Sequence, residues 1–228
     1  MRSVAIIQAR MGSSRLPGKV MKPLAGIPAL WHVVTRVAAA QRLDDIIIAT
    51  STLAQDDVIE AYGQEHGWSV FRGSEQDVLA RYVGAAMQAK ADVVVRITSD
   101  CPLIDPEIID AMLDIYMAER PDYLSTNYPS RSFPIGLDVE ICAMEGLVRA
   151  DKEATQAYER EHVTPYFYNH PELFNLQGYA NTSDQSHQRW VLDTPEDYAF
   201  LEKLYDALYQ PDGFIRTSDI HHYLHSSD

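Results

Sequence analysis

Cysteine is nearly missing: Cys101 and Cys142 are the only two. That is too few for a disulfide framework. No apolar run reaches the roughly 20 residues needed to span a bilayer, and the N-terminus lacks the basic, apolar and small-residue succession of a secretory signal. The expectation is a cytoplasmic chain with no membrane partner. Positive charge is also short. Nineteen Lys and Arg stand against 33 Asp and Glu, a formal net charge of −14, which repels polyanions and argues against a broad basic face for nucleic acid. Any anionic ligand must therefore be held by a few local cations. With 11 Gly and 12 Pro and no internal repeat, the chain is neither collagen-like nor low-complexity. What it does have is core material, 46% hydrophobic and 10% aromatic over 228 residues, which suits a single domain over 1–228.

Residues 3–8 (SVAIIQ), 45–49 (DIIIA) and 92–97 (DVVVRI) are short β-branched runs without alternation, as expected of strands buried on both faces. Between them, residues 28–40, 56–66, 76–89 and 106–118 carry helical periodicity, and 68–71 reads as a further short strand. Strand and helix taking turns predict an α/β fold, a mostly parallel sheet with helices on both faces. Beyond about residue 120 the rhythm loosens. Strands are predicted at 122–126, 137–142, 173–179 and 188–192. Helices are predicted at 155–168 and at 195–208, the second capped by Thr194. Residues 127–134 read as an exposed loop.

The loop after the first strand carries the chemistry: Ala9, Arg10, Met11, Gly12, Ser13, Ser14, Arg15, Leu16, Pro17, Gly18, Lys19. It leaves the carboxyl end of a parallel strand, where open α/β sheets bind ligands. Small residues let backbone amides turn toward phosphate oxygens, and Arg10, Arg15 and Lys19 supply charge-assisted bonds. A plain solvated basic loop is the alternative, which the strongly acidic balance disfavours. No Gly-Lys-[Ser/Thr] follows the strand and no three-glycine dinucleotide fingerprint is present, so neither standard phosphate motif applies.

The run IIQARMGSSRLPGKVMKPLAG, with IIIATS at 46–51, RGSEQDVLARY at 72–82, RITSDCPLIDP at 96–106 and LDTPEDY at 192–198, resembles the 3-deoxy-manno-octulosonate and acylneuraminate cytidylyltransferases. It is most similar to their relative, the spore coat polysaccharide biosynthesis protein F family. The resemblance implies a nucleotide-diphospho-sugar transferase fold, a Rossmann-like α/β/α sandwich. It further implies transfer of CMP from CTP to an acidic sugar or related acid with release of pyrophosphate, in surface polysaccharide or glycan precursor synthesis. A homodimer is implied too. Alternatives within the fold are another nucleoside triphosphate acting on a sugar phosphate, since a phosphate loop does not read the base, and a non-catalytic nucleotide-sugar binding module.

Asp100 ends the 92–97 strand region in Thr98-Ser99-Asp100 and is placed to hold Mg²⁺, which takes one or two carboxylates plus phosphate oxygens and water. A helix-capping role before Pro106 is the plainer alternative. Asp193 reads equally as part of an ordinary cap, Asp-Thr-Pro-Glu; the resemblance tips both aspartates toward the metal. The expected nucleotide-binding set is Ala9, Arg10, Gly12, Ser13, Ser14, Arg15, Lys19, Gly73, Asp77, Arg81 and Thr98, with Arg10, Lys19 and Asp100 catalytic. In the resembling families the Gly73 loop lies over the base; from spacing alone, Asp77 and Arg81 would form an i, i+4 pair. The segment 127–190 is expected to supply the acceptor side and the dimer contact, through Asn127, Gly136, Asp138, Glu140, His162 and Arg189, with Glu159 beside them. SFPIGLDVEICAMEGL does not reproduce the sugar-binding pattern of the octulosonate enzymes, so their substrate does not carry over. Cys101 is expected as a small buried thiol, and His221, His222 and His225 as a solvated end.

Overall fold

The computed structural model describes residues 1–211 and 213–226. The first half alternates as expected: β1 (Ser3–Gln8), a hairpin of β2 (Pro23–Leu24) and β3 (Ile27–Pro28), α1 (Ala29–Ala38), β4 (Asp45–Ser51), α2 (Asp57–Glu65), β5 (Ser69–Gly73), α3 (Val78–Ala89), β6 (Val93–Thr98) and α4 (Pro106–Glu119). The second half adds β7 (Tyr123–Ser125), β8 (Glu140–Ala143), α5 (Met144–Glu153), α6 (Ala157–His162), α7 (Pro165–Asn169), β9 (Leu176–Gly178), α8 (Pro195–Leu208) and α9 (Thr217–Ser226).

Seven strands form one sheet in the order β5-β4-β1-β6-β8-β7-β9. The first four are mutually parallel, β8 runs antiparallel to both β6 and β7, and β9 is parallel to β7. Side chains alternate across a strand, so β1 sends Ala5 and Ile7 into one apolar layer with α1 and α4, and Val4 and Ile6 into another with α3 and α5. Both faces being covered explains why β1, β4 and β6 read as unbroken apolar runs.

Four expectations change. The predicted 155–168 helix is two short helices, because Val163 sits at φ +73° between α6 and α7. α5 was not foreseen: it follows β8 with no Gly or Pro break, and Gly146 lets it lie against Phe167, whose ring would come within 2.8 Å of a Cβ there. Residues 188–192 form no strand but a single bridge, Ile135 to Arg189. The histidine-bearing tail is a docked helix: Ile220 is buried, and the His221 ring lies 5.4 Å from that of Trp190. Among the described residues no helix is long and apolar enough to cross a membrane.

Candidate active site

Gln8 pairs with Thr98 at the carboxyl ends of β1 and β6, so the 9–18 loop and the segment carrying Asp100 leave the sheet side by side. The loop is tied down before any ligand arrives. Ala9 donates its N–H to the Ala49 carbonyl (3.1 Å), and Gly18, at φ +69°, donates to the Met11 carbonyl (3.0 Å). Met11 N–H donates to Asp56 Oδ1 at 2.7 Å, and Ser51 Oγ donates to the other oxygen of the same fully buried carboxylate. Ala9 therefore has no amide to offer a phosphate. Among the described residues, no hydrogen bond uses the N–H of Gly12, Ser13 or Ser14, which leaves three amides unpaired at the cleft. Gly12 has Gln55 Nε2 and Glu75 Oε1 at 3.1 and 3.2 Å from where a Cβ would stand, so a side chain would crowd the loop at that point. Asp56 was missed in the sequence because a carboxylate at a helix start looks like any first-turn acid.

Lys19 brings the two separated aspartates together. Its Nζ donates to Asp100 Oδ2 at 2.7 Å and to Asp193 Oδ1 at 3.0 Å, while Arg15 Nη2 lies 2.5 Å from Asp193 Oδ2. Backbone contacts set this convergence: Leu192 N–H donates to the Asp100 carbonyl at 2.7 Å, and Trp190 N–H to the Ile135 carbonyl at 2.7 Å. Gly136 (φ +110°) makes that passage possible, since a Cβ there would come within 2.6 Å of the Trp190 carbonyl carbon. Asp193 also sits at the entrance of α8, where Thr194 and Asp197 form a capping box and Arg189 pairs with Asp197 through two nitrogens at 2.7 and 2.8 Å. Capping is thus carried by Thr194 and Asp197, and the Asp193 side chain is left to Lys19, Arg15 and, at 3.7 Å, Arg189. Burial opposes charge on Asp100 and Lys19, yet each outweighs it for the other: the Asp100 carboxyl is held below its usual range and the Lys19 ammonium above.

Two carboxylates sharing one ammonium at a cleft edge suit a divalent ion that completes its shell with phosphate oxygens and water. Among the described residues no group of three or more His, Cys, Asp and Glu side chains gathers as a closed ligand set. The aspartate pair could hold a divalent ion only with phosphate oxygens or water completing its shell.

These groups border a cleft of about 480 Å³ lined by Ala9, Arg10, Gly12, Ser13, Ser14, Arg15, Lys19, Arg81, Thr98, Asp100, Asp138, His162 and Asp193, all anticipated, and by Gln8, Arg96, Ser99 and Glu161, which were not. Arg81 is almost wholly buried; burial lowers its pKa, its Nη1 donates to the Ser74 carbonyl at 2.7 Å, and among the described residues its Nε has no partner. Asp77 does not pair with Arg81. It caps α3 at Ala80 and binds Arg160 at 2.7 Å, because Arg81 turns inward. Gly73, Asp77, Gly136 and Arg189 are not among the residues lining the cleft. Asn127, Glu140 and His162 line a second cavity of about 640 Å³, together with Arg96, Tyr123, Tyr158, Thr164 and Tyr168. Residues 127–134, expected to be exposed, wall this cavity at Tyr128 and Arg131 and bury Phe133. Cys101 is a buried thiol, its pKa pushed well up by burial.

A family model described as cytidylyltransferase matches residues 4–219. The chain belongs to the cytidylyltransferase family. The spore coat polysaccharide biosynthesis protein SpsF of Bacillus subtilis is 37% identical over 208 residues, 88% of this chain and 85% of that protein. A solved cytidylyltransferase from Leptospira borgpetersenii superposes with a TM-score of 0.92 at 34% identity, covering 100% of this chain and 95% of that one. The CMP:2-keto-3-deoxy-manno-octonic acid synthetase solved with CTP gives a TM-score of 0.66 at 18% identity over 91% of this chain and 98% of that one, a likeness of fold. The α/β nucleotide-sugar transferase fold and the family expected from the loop and strand-end motifs are both upheld in this cytidylyltransferase.

Proposed function

We propose that this cytidylyltransferase transfers CMP from CTP to an acidic sugar or a related acid, releasing pyrophosphate, in the making of a surface polysaccharide. The observation that carries the reading is Lys19 standing between Asp100 and Asp193 in the wall of a cationic cleft that opens beside a second, tyrosine-rich cavity. The first cavity suits a triphosphate and the second an acceptor. An acceptor hydroxyl oxygen bonds to the α-phosphorus, giving up its proton to water, as the bond to the β-phosphate oxygen breaks and pyrophosphate leaves; catalysis is mainly positioning and charge neutralisation.

In this reading the free amides of Gly12 to Ser14 and the cations of Arg10, Arg15 and Lys19 cradle the phosphates. The paired acids are exchanged for phosphate oxygens as the nucleotide enters. Arg81, short of a carboxylate partner, faces the same anion. Asp100 and Asp193 would hold Mg²⁺, which would neutralise phosphate charge and acidify the attacking hydroxyl. Asn127 and His162 face the acceptor with Arg131, whose Nη1 already bonds Asp138 at 2.5 Å. A homodimer built on the 127–190 lobe and a cytoplasmic location belong to the same reading. The decisive experiment offers CTP, UTP, GTP and ATP with Mg²⁺ and a panel of sugar acids and sugar phosphates, and measures pyrophosphate. Release with CTP and a sugar acid supports the reading; release only with another nucleotide or a sugar phosphate overturns it.

A further inference from the structure

The two cavities share Arg96 and His162 in their walls, and Arg96 is the unusual one. It stands on β6 two residues before Thr98, on the same face of the strand, with only 14% of its side chain accessible. The guanidinium is clamped from behind. Nη1 binds the Glu140 carboxylate, and Glu140 Oε1 in turn accepts from the Tyr123 hydroxyl at 2.5 Å and the Thr164 hydroxyl at 2.7 Å. The Tyr82 ring lies below, 6.0 Å from Arg96 Cζ. Glu140 thus spends its oxygens on the protein, so it acts as an anchor and not as a ligand for the acceptor.

Arg96 is in the opposite condition. A guanidinium offers five N–H donors; among the described residues only Nη1 is paired with a carboxylate, and Nε lies buried without a partner. A buried donor left unmade is costly unless something completes it, and a planar fork fixed in a cavity wall is matched by a carboxylate or phosphate.

We infer that Arg96 is an oxyanion receptor at the junction of the nucleotide and acceptor cavities, positioned by Glu140, Tyr123 and Thr164. The oxyanion is either the acceptor's carboxylate or the α-phosphate of the nucleotide. This inference rests on the cytidylyltransferase reading and refines it.

The test uses the full chain as wild type, Arg96→Lys, and the double variant R96Q/E140Q, which removes both charges so that none is left buried alone. Urea unfolding first establishes that each variant folds; Arg96→Lys carries the test if the double variant does not. CTP affinity with Mg²⁺ is measured by calorimetry, and wild-type crystals are soaked with CTP and Mg²⁺, with and without pyruvate as a carboxylate probe. A phosphate oxygen on Arg96, with CTP affinity lowered about tenfold to a hundredfold in the variants, the worth of one charge-assisted bond, identifies the phosphate. Unchanged CTP affinity with a pyruvate carboxylate on Arg96 identifies the acceptor group. Neither ligand on Arg96, with CTP bound equally by all three proteins, overturns the inference. Failure of the wild type to bind CTP would sink the nucleotide reading alone, since pyruvate still reports on Arg96.

Discussion

One ammonium between two carboxylates makes Lys19 the most consequential single side chain. Its charge is compensated by Asp100 and Asp193, so it is already ordered in the wall of the cleft. Lys19→Ala is expected to slow pyrophosphate release at saturating CTP by about 10²–10³, the usual cost of removing one preorganised donor; initial-rate measurements with CTP and Mg²⁺ check this. Asp56 works one step away. It does not line the cleft but fixes the Met11 amide, and through it the bend of the loop. Asp56→Asn keeps an oxygen for that amide and Asp56→Ala does not. KM for CTP should therefore rise in the order wild type, Asn, Ala, the last by about 1.5–3 kcal/mol equivalent, with kcat moving less. Equal loss in both variants, or loss confined to kcat, would argue for a merely structural carboxylate.

Short elements in the second half of the chain set the site by backbone approach. The single bridge between Ile135 and Arg189 carries Asp193 to the carboxyl end of β6, and Gly136 is the point at which the two segments touch. Gly136→Ala would force an L-residue to φ +110° with its Cβ within 2.6 Å of Trp190 backbone. It is expected to cost at least about 1–3 kcal/mol of stability and to lower turnover more than CTP binding, since Asp193 moves while the 9–18 loop does not. Urea midpoints with parallel kinetics test it. Gly136 was anticipated for the acceptor; its place in the fold is structural. The same contrast runs through the other elements. β1, β4 and β6 are legible because burial on both faces leaves an unmistakable apolar run. The break at Val163 and helix α5 are not, because a positive φ and the packing of Gly146 on Phe167 are imposed by distant neighbours.

Across the molecule, a net charge of −14 surrounds a cleft in which Arg10, Arg15, Lys19 and Arg96 are each held by a local acid. CTP affinity should fall as salt rises, because the exposed arms of Arg10 and Arg15 are screened; calorimetry between low and physiological ionic strength measures this. The buried Glu140 network makes a further global prediction. Burial favours the neutral acid, but Arg96, then the Tyr123 and Thr164 hydroxyls, hold the carboxyl below its usual range. Between the folded and unfolded values the unfolded chain binds more protons, so stability rises with pH there. The contribution is complete above the ordinary glutamate value of 4.5 and is lost as pH falls through the depressed folded value. Glu140→Gln should be less stable near neutrality and should lose less stability on acidification below that pH. Denaturant titrations at stepped pH would show parallel curves for the two proteins if Glu140 were not ionised in the fold.

Local chemistry sufficed for the parallel half of the sheet and for a loop of small residues and three cations at its carboxyl edge, because a run of β-branched residues and a cluster of small and basic ones act through their nearest neighbours in sequence. Pairings across the chain did not follow from it. That Lys19 joins Asp100 to Asp193, that Asp77 chooses Arg160 over Arg81, and that Arg96 stands between two cavities with Glu140 behind it all depend on which strands lie side by side. Those contacts close over tens to more than a hundred and seventy residues of chain, and only the burial of the whole sheet between two helical layers supplies the energy to close them.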